Sequence, residues 1–262
     1  MRRAGLFGLV VLLVMSMLLS GLTSLAQDEK VLVIGHAESS DSLDPARGYT
    51  QTTGFLFRAM YETLVDFPDA DASSIEPQLA ESWEVSDDGL AYTFKLREGA
   101  VFSSGNPITA DDVAFSINRL KNLQGSPAFL ADNIASIEAA DPQTVVITLA
   151  SPDPSFLSIL PNSAFQVTDS AVIKANGGTD AADAASADTA EQFLNSNSVG
   201  SGPYILEKWD PQVETVLARN PNYQGEAPYF DRVIVTNIPE SATQKIALEA
   251  GDIDLALDLT AD

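Results

Sequence analysis

The 262-residue sequence contains no cysteine and a single histidine, and it sets 14 basic residues against 37 acids. Without cysteine there is no thiol nucleophile, no thiolate metal site, no iron-sulfur cluster and no disulfide framework. With His36 as the sole histidine there is no HExxH helix and no multi-histidine zinc cage. Gly-x-Ser-x-Gly is also absent, so His36, at the end of a predicted strand, reads as structural rather than as one member of a triad. Phosphate cradling lacks a motif too, because no GxxxxGK[ST] occurs and Gly200-Ser-Gly202 is not a dinucleotide fingerprint. The formal net charge of −23 produces a field that repels phosphate backbones and anionic lipid. It argues against nucleic-acid partners and against electrostatic attachment to membranes.

What is present is a chain with 45% hydrophobic residues, enough to bury a substantial core. Arg2 and Arg3 precede an apolar run from Leu6 to Leu22, and Ser24-Leu25-Ala26 stands just before Gln27-Asp28-Glu29. That order predicts a secretory signal peptide over residues 1–26, cleaved after Ala26. A lipid-anchored form would need a cysteine at the cleavage point. The expected mature protein is therefore soluble, monomeric, and periplasmic or extracellular. Its removal takes away two arginines and no acid, which leaves the balance still more acidic. A secreted protein without disulfides must rely on its apolar core, so its domains should not be miniature.

Along the chain, Lys30-Val-Leu-Val-Ile-Gly35 has the pattern of a buried strand. The polar stretch His36 to Pro45 then favours turns. Leu56, Phe57, Met60, Tyr61 and Leu64 fall at helical spacing within Thr52 to Val65. Ser86-Asp-Asp-Gly89 separates Trp83–Val85 from Ala91–Arg97 as a hairpin turn, with Tyr92, Phe94 and Leu96 on one strand face. After a short Val101-Phe102 strand, Thr109 is the expected N-cap of a helix that carries Asp111 and Asp112 in its first turn and Val113, Ile117 and Leu120 as its buried stripe. Ile134–Ala139 with Thr144–Leu149 form a second hairpin, and Pro203–Asp210 with Glu214–Arg219 a third. Lys174 to Asp188 is rich in Ala and Asp and reads as a surface insertion contributing little core. Tyr229–Thr236 is the next strand. A capping box at Ser241-Ala-Thr-Gln244 opens a helix ending at Gly251, and Ile253–Leu259 follows as a strand. Strand, helix, strand at that spacing is a βαβ unit requiring a parallel neighbour, and hence an α/β lobe.

Among functional candidates, the many carboxylates keep a secreted carboxylate-dependent hydrolase open as an alternative. A non-catalytic surface or interaction domain is a third class. Asp66, Asp69 and Asp71 lack the glycine and distal glutamate of a calcium loop and read as a turn. Tyr49, Trp83 and Trp209 are able to stack on a ligand, but core or sheet packing explains Trp83 and Trp209 better.

One ordered set of segments ties these pieces together. Ser42-Leu-Asp-Pro45, Tyr61-Glu-Thr-Leu-Val65, Pro77 to Gly89, Tyr92-Thr-Phe-Lys-Leu-Arg97, Thr109-Ala-Asp-Asp-Val113, Gly202-Pro-Tyr204, Arg219-Asn-Pro221 and Gly251-Asp-Ile-Asp254 together resemble the peptide/nickel family of ABC-transporter solute-binding proteins, the oligopeptide- and dipeptide-binding group. The match runs over nearly all of Val31 to Asp254. Two departures fall on surface turns: Ser103-Ser-Gly105 replaces a usual Asp-Gly, and Gln224 follows Tyr223 where a Trp is common. The resemblance implies a periplasmic-binding-protein-like α/β fold of type II, in which two lobes close over a ligand and the first lobe carries an extra hairpin-rich subdomain. Family members are longer, so the chain is expected to be the N-terminal portion. Residues 27–48 and 196–262 then form lobe I, and residues 49–195 form the subdomain. The resemblance also implies a non-enzymatic importer component that binds a small solute, most simply a peptide, and delivers it to a membrane permease, with no cofactor or metal. Extended peptide ligands pair with main-chain groups in that family, and Glu38, Ser39, Ser40 and Asp41 correspond to one of the cleft segments.

Overall fold

The computed structural model describes residues 29–68 and 71–260. The signal-peptide segment and Asp69 of the acidic group lie outside the described residues. The chain divides after Lys30, and the architecture below is that of the unit beginning at Val31. In chain order its elements are β1 (Val31–His36), α1 (Gln51–Met60), β2 (Val65–Asp66), β3 (Glu76–Pro77), β4 (Ala80–Val85), β5 (Ala91–Leu96), α2 (Ala110–Leu123), β6 (Ile134–Asp141) and β7 (Thr144–Leu149). Four short helices follow, α3 (Phe156–Ile159), α4 (Ser170–Ala175), α5 (Ala184–Ala187) and α6 (Glu191–Leu194). The last elements are β8 (Tyr204–Asp210), β9 (Glu214–Arg219), β10 (Arg232–Asn237), α7 (Ser241–Ala250) and β11 (Leu255–Ala256). No helix among the described residues is long and apolar enough to cross a membrane.

Strict alternation produces the first sheet, an antiparallel β4-β5-β7-β6. Tyr92, Phe94 and Leu96 on β5 and Val145, Ile147 and Leu149 on β7 are buried on one face, and the register sets Tyr92 opposite Ile147 and Phe94 opposite Val145. Such cross-strand apolar pairs are the unit of sheet stabilisation. Gly89 turns the first hairpin at φ +69°, a conformation that costs other residues about 1–2 kcal/mol. Thr109 is the N-cap of α2 as expected. Its amide and hydroxyl donate to Asp112 Oδ2 at 2.9 and 2.7 Å. Val113, Ile117 and Leu120 seat α2 in this core, while Phe115 on the same helix joins a second core.

That second core lies on a five-stranded sheet ordered β11-β1-β10-β9-β8. β1 runs parallel to both its neighbours, with Val31 opposite Arg232 and Ile34 opposite Leu255, so the βαβ reading holds with β1 as the intervening strand. The pairs β10/β9 and β9/β8 are antiparallel. Leu56, Phe57, Met60 and Tyr61 pack with Ile34, Tyr204, Leu217 and Val235. Close approach there depends on Gly202. Its amide donates to Met60 O at 3.0 Å, and a Cβ on it would lie 2.6 Å from Met60 C and 2.7 Å from Tyr61 N.

Several expected boundaries moved, for reasons visible in the hydrogen bonding. The helix predicted to Val65 stops at Met60 because Tyr61 turns extended, at φ −131° and ψ 167°. The carbonyls beyond are taken from outside, Met60 O by Gly202 N and Glu62 O by Val167 N, while Thr63 N donates to Gln78 Oε1. Val101 makes one bridge to Pro107 rather than a strand. The strand predicted from Tyr229 begins at Arg232, after an exposed Tyr229 set edge-on to Phe230. In the last helix the N-cap is Glu240, not Ser241. The Ser241 hydroxyl instead accepts from Thr260 N at 2.9 Å. Gly251 does close that helix in the left-handed region, at φ +80°. β11 is two residues long because Ala37 N–H, the next donor along β1, goes to the side chain of Asp258.

The Ala/Asp-rich stretch lies largely at the surface, as expected, with two residues that turn inward. Ala184 is fully buried and Asp188 sinks into the interior beside Arg119. Arg119 donates to Asp44 at 2.6 and 2.7 Å and to Asp188 at 2.8 and 2.9 Å, so every guanidinium nitrogen is used. The side chains of both aspartates are fully buried. Asp188 also accepts the amides of Thr179 and Ala190. Burial works to raise the pKa of Asp188, but Arg119 and those two amides outweigh it and hold the carboxyl below its ordinary value. The segment that composition marked as surface is thus bolted to Ser42-Leu-Asp-Pro45 through one arginine.

Candidate functional site

In open α/β sheets, ligands bind outside the carboxyl ends of parallel strands. Here those ends are His36 and Asn237, and the chain leaving β1 carries the four residues singled out in the sequence. Glu38, Ser39 and Asp41 are exposed; Ser40 is buried. With Thr52, Asp210, Glu214, Thr236 and Asn237 the first three residues of this segment line a shallow recess at the strand ends. Asp41 is not among the residues lining it. It turns toward the start of α1, where Oδ1 accepts from Thr53 Oγ1 at 3.0 Å and Oδ2 from Tyr49 N at 3.4 Å. Glu38 Oε2 accepts from Thr52 N at 3.2 Å, and Glu38 O from Thr52 Oγ1 at 2.9 Å. Two carboxylates at a helix N-terminus are electrostatically well placed, and their effect is to fix the loop's course.

Ser40 is held from the other side, its hydroxyl accepting the Trp209 indole N–H at 2.7 Å. That bond and its packing on the second core give Trp209 a structural role, as the sequence suggested. Trp83 is partly buried against the first core. Tyr49 is exposed and meets Phe129 edge-on.

His36 is buried, with its Nδ1 2.6 Å from Asp258 Oδ2. The same oxygen accepts Ala37 N at 2.7 Å and Gln244 Nε2 at 3.2 Å. Burial opposes the charge on Asp258, yet these donors together lower its pKa below the ordinary carboxylate value. Sequence reasoning found His36 and missed its partner Asp258, since nothing local marks a residue 222 positions away. Glu62 presents the opposite balance. Burial raises its pKa, and the Arg97 guanidinium at 3.0 Å only partly offsets that.

Wider hollows exist away from the strand ends. One, of about 580 Å³, lies along the starts of α2 and α4. Of the four aspartates lining it, Asp112 and Asp169 are already engaged with Thr109, Ser170, Ser104 and Asn106, and Asp111 and Asp180 complete the set. Among the described residues no group of three or more His, Cys, Asp or Glu side chains is arranged to hold a metal ion. The Asp66/Asp71 pair is dispersed: Asp66 takes a two-pronged bond from Arg58, while Asp71 caps Ser73 and Ser74.

A mixed α/β sheet with a candidate loop at its parallel strand ends, beside a hairpin sheet, defines a periplasmic-binding-protein-like fold. Residues 74–262 match the model of the bacterial extracellular solute-binding proteins, family 5 Middle, and the chain belongs to that family. It is 36% identical over 240 residues to the probable D,D-dipeptide-binding periplasmic protein DdpA of Escherichia coli, covering 90% of this chain and 45% of that one. Two solved structures are similar. DppA from Helicobacter pylori in complex with the peptide STSA is 30% identical with a TM-score of 0.71, covering 87% of this chain and 46% of that one. MoaA from A. tumefaciens R10 in complex with mannopinic acid is 28% identical with a TM-score of 0.76, covering 88% and 45%. The chain spans about half the length of the proteins it matches.

Proposed function

We propose that the protein is the extracytoplasmic solute-binding component of an ABC importer. It takes short peptides and works by lobe closure onto a ligand that is then passed to a membrane permease. Differential affinity for the closed state drives such a cycle, and no bond is made or broken. In this reading residues 27–48 and 196–262 belong to lobe I of a type II fold, residues 49–195 to its subdomain, and residues 1–26 to a signal peptide. Glu38, Ser39, Ser40 and Asp41 are its cleft segment. One observation carries the reading: that segment leaves the carboxyl end of β1 beside the parallel β10, in a chain of this family. Within it, exposed Ser39 would meet the ligand, whereas Ser40 and Asp41 brace the loop through Trp209 and Thr53. A peptide of two to four residues is the favoured ligand because the relatives named for peptides include both DdpA, a probable D,D-dipeptide-binding protein, and the complex with the tetrapeptide STSA.

Calorimetry with D-Ala-D-Ala, L-trialanine, a nickel-histidine complex and a maltooligosaccharide tests this. One-to-one peptide binding without turnover supports it; release of hydrolysis products would replace it with the hydrolase. Ser39→Trp should abolish peptide binding while leaving the melting temperature within about 2 °C, since exposed substitutions typically shift stability by less than 0.5 kcal/mol.

A further inference from the structure

The carboxyl end of β1 is tied to three other segments by one carboxylate and one amide. Asp258 Oδ2 receives His36 Nδ1, Ala37 N and Gln244 Nε2. Gln244, fully buried, also donates to Ile238 O at 2.8 Å and accepts from Asp258 N at 3.2 Å through Oε1. The ends of β1 and β10, the first turns of α7 and the segment beyond β11 therefore meet in a single polar node. Ala37, held by Asp258, is the residue immediately before Glu38. A carboxylate accepts only, so His36 Nδ1 carries the proton. Its Nε2 is buried without a hydrogen-bond partner, and the ring is held edge-on by Phe55 of α1.

We infer that His36, Asp258 and Gln244 are positioning residues for the ligand-facing loop, setting the course of residues 37–41 from the segment that follows β11. The inference rests on the proposed binding function but does not share its test. Without Asp258 the Ala37 amide and the imidazole lose a common acceptor, and the loop keeps only its attachments to α1 and Trp209. Motion in the 257–260 segment would then no longer be coupled to the loop.

The single histidine makes the test direct. In ¹⁵N spectra of the protein, His36 should show a protonated Nδ1. Asp258→Asn should shift both ring nitrogens and speed hydrogen exchange at Ala37 by roughly tenfold to a hundredfold, the range for losing a bond to a charged group. Exchange at Phe94, in the hairpin sheet, should stay unchanged. Asp258→Glu should restore part of the Ala37 protection. For D-Ala-D-Ala, Asp258→Asn should weaken affinity by more than tenfold. An Nδ1 without a proton in the wild type, or unchanged Ala37 exchange in Asp258→Asn, overturns the node whatever the binding result. Unchanged affinity in a variant with faster Ala37 exchange overturns the positioning role. If no peptide binds the wild type, the functional reading fails while the spectroscopic arms still decide the node.

Discussion

Replacing Arg119 by methionine removes the only donor that two buried aspartates share among the described residues. The guanidinium is 3% exposed and lies between two fully buried carboxylates. Methionine fills much of the volume but supplies no donor. Asp44 then keeps the Ala46 amide and Asp188 the Thr179 and Ala190 amides, and among the described residues the cation left beside them is Arg47, 3.5 Å from Asp44. Breaking a buried pair from one side typically costs about 3–5 kcal/mol. At roughly 2–3 kcal/mol per molar urea, the midpoint should fall by about 1–2 M at pH 7. The pH dependence carries the sharper test. In the wild type the folded pKa of Asp188 is depressed, so its contribution is complete above the unfolded value near 3.9 and is lost as pH falls through the folded one. In Arg119→Met only the Thr179 and Ala190 amides still oppose burial, so the carboxyl's folded pKa rises relative to the wild type and the variant gains less stability as pH rises. The gap between the two proteins should therefore be small near pH 3 and widen to neutrality. Adding Asp188→Asn should recover part of the loss, because it removes one orphaned charge. Urea titrations at several pH values that gave a gap below about 1 kcal/mol, or a gap independent of pH, would refute this account.

Three further outcomes follow from the geometry. Gly202→Ala drives a Cβ into the Met60-Tyr61 backbone and should cost about 3 kcal/mol, read as a melting temperature lower by roughly 6–12 °C. Gly89→Ala has room beside Pro152 at 3.6 Å but must hold φ +69°, so its cost should be only about 1–2 kcal/mol in denaturant titration. Trp209→Phe keeps the aromatic packing and loses the bond to Ser40. Stability should fall by about 1 kcal/mol, and amide exchange should accelerate in residues 38–41 before it does so in β9.

The hairpin sheet was readable because its information is local. Tyr92, Phe94 and Leu96 alternate within five residues, Gly89 marks the turn, and Thr109 reaches Asp112 within one helical turn. Where a backbone group is claimed by a distant element, the sequence pattern is silent. Periodicity through Leu64 extends the helix past Met60, since nothing nearby reveals that Gly202 and Val167 will take its carbonyls. Composition misjudged Asp188 for the same reason, its partner lying 69 positions away on another helix. At the candidate site the loop itself was legible from its Ser, Asp and Pro content, but its fastenings to Thr52, Trp209 and Asp258 were not. The capping box at Ser241 shows that a motif can be present and its hydroxyl still be used elsewhere.

The position of β1 in its sheet bears on how the polypeptide is made. Both strands that hydrogen-bond to Val31–His36 are synthesised about 200 residues after it. At bacterial elongation speeds that is a delay of about 10–40 s. Through that interval a short, apolar, β-prone hexapeptide sits near the start of the nascent chain with nothing to complete its ladder, which is a recipe for self-association. The topology thus makes this sheet a late-closing one. The strand stays open until Arg232–Asn237 arrives to pair with it.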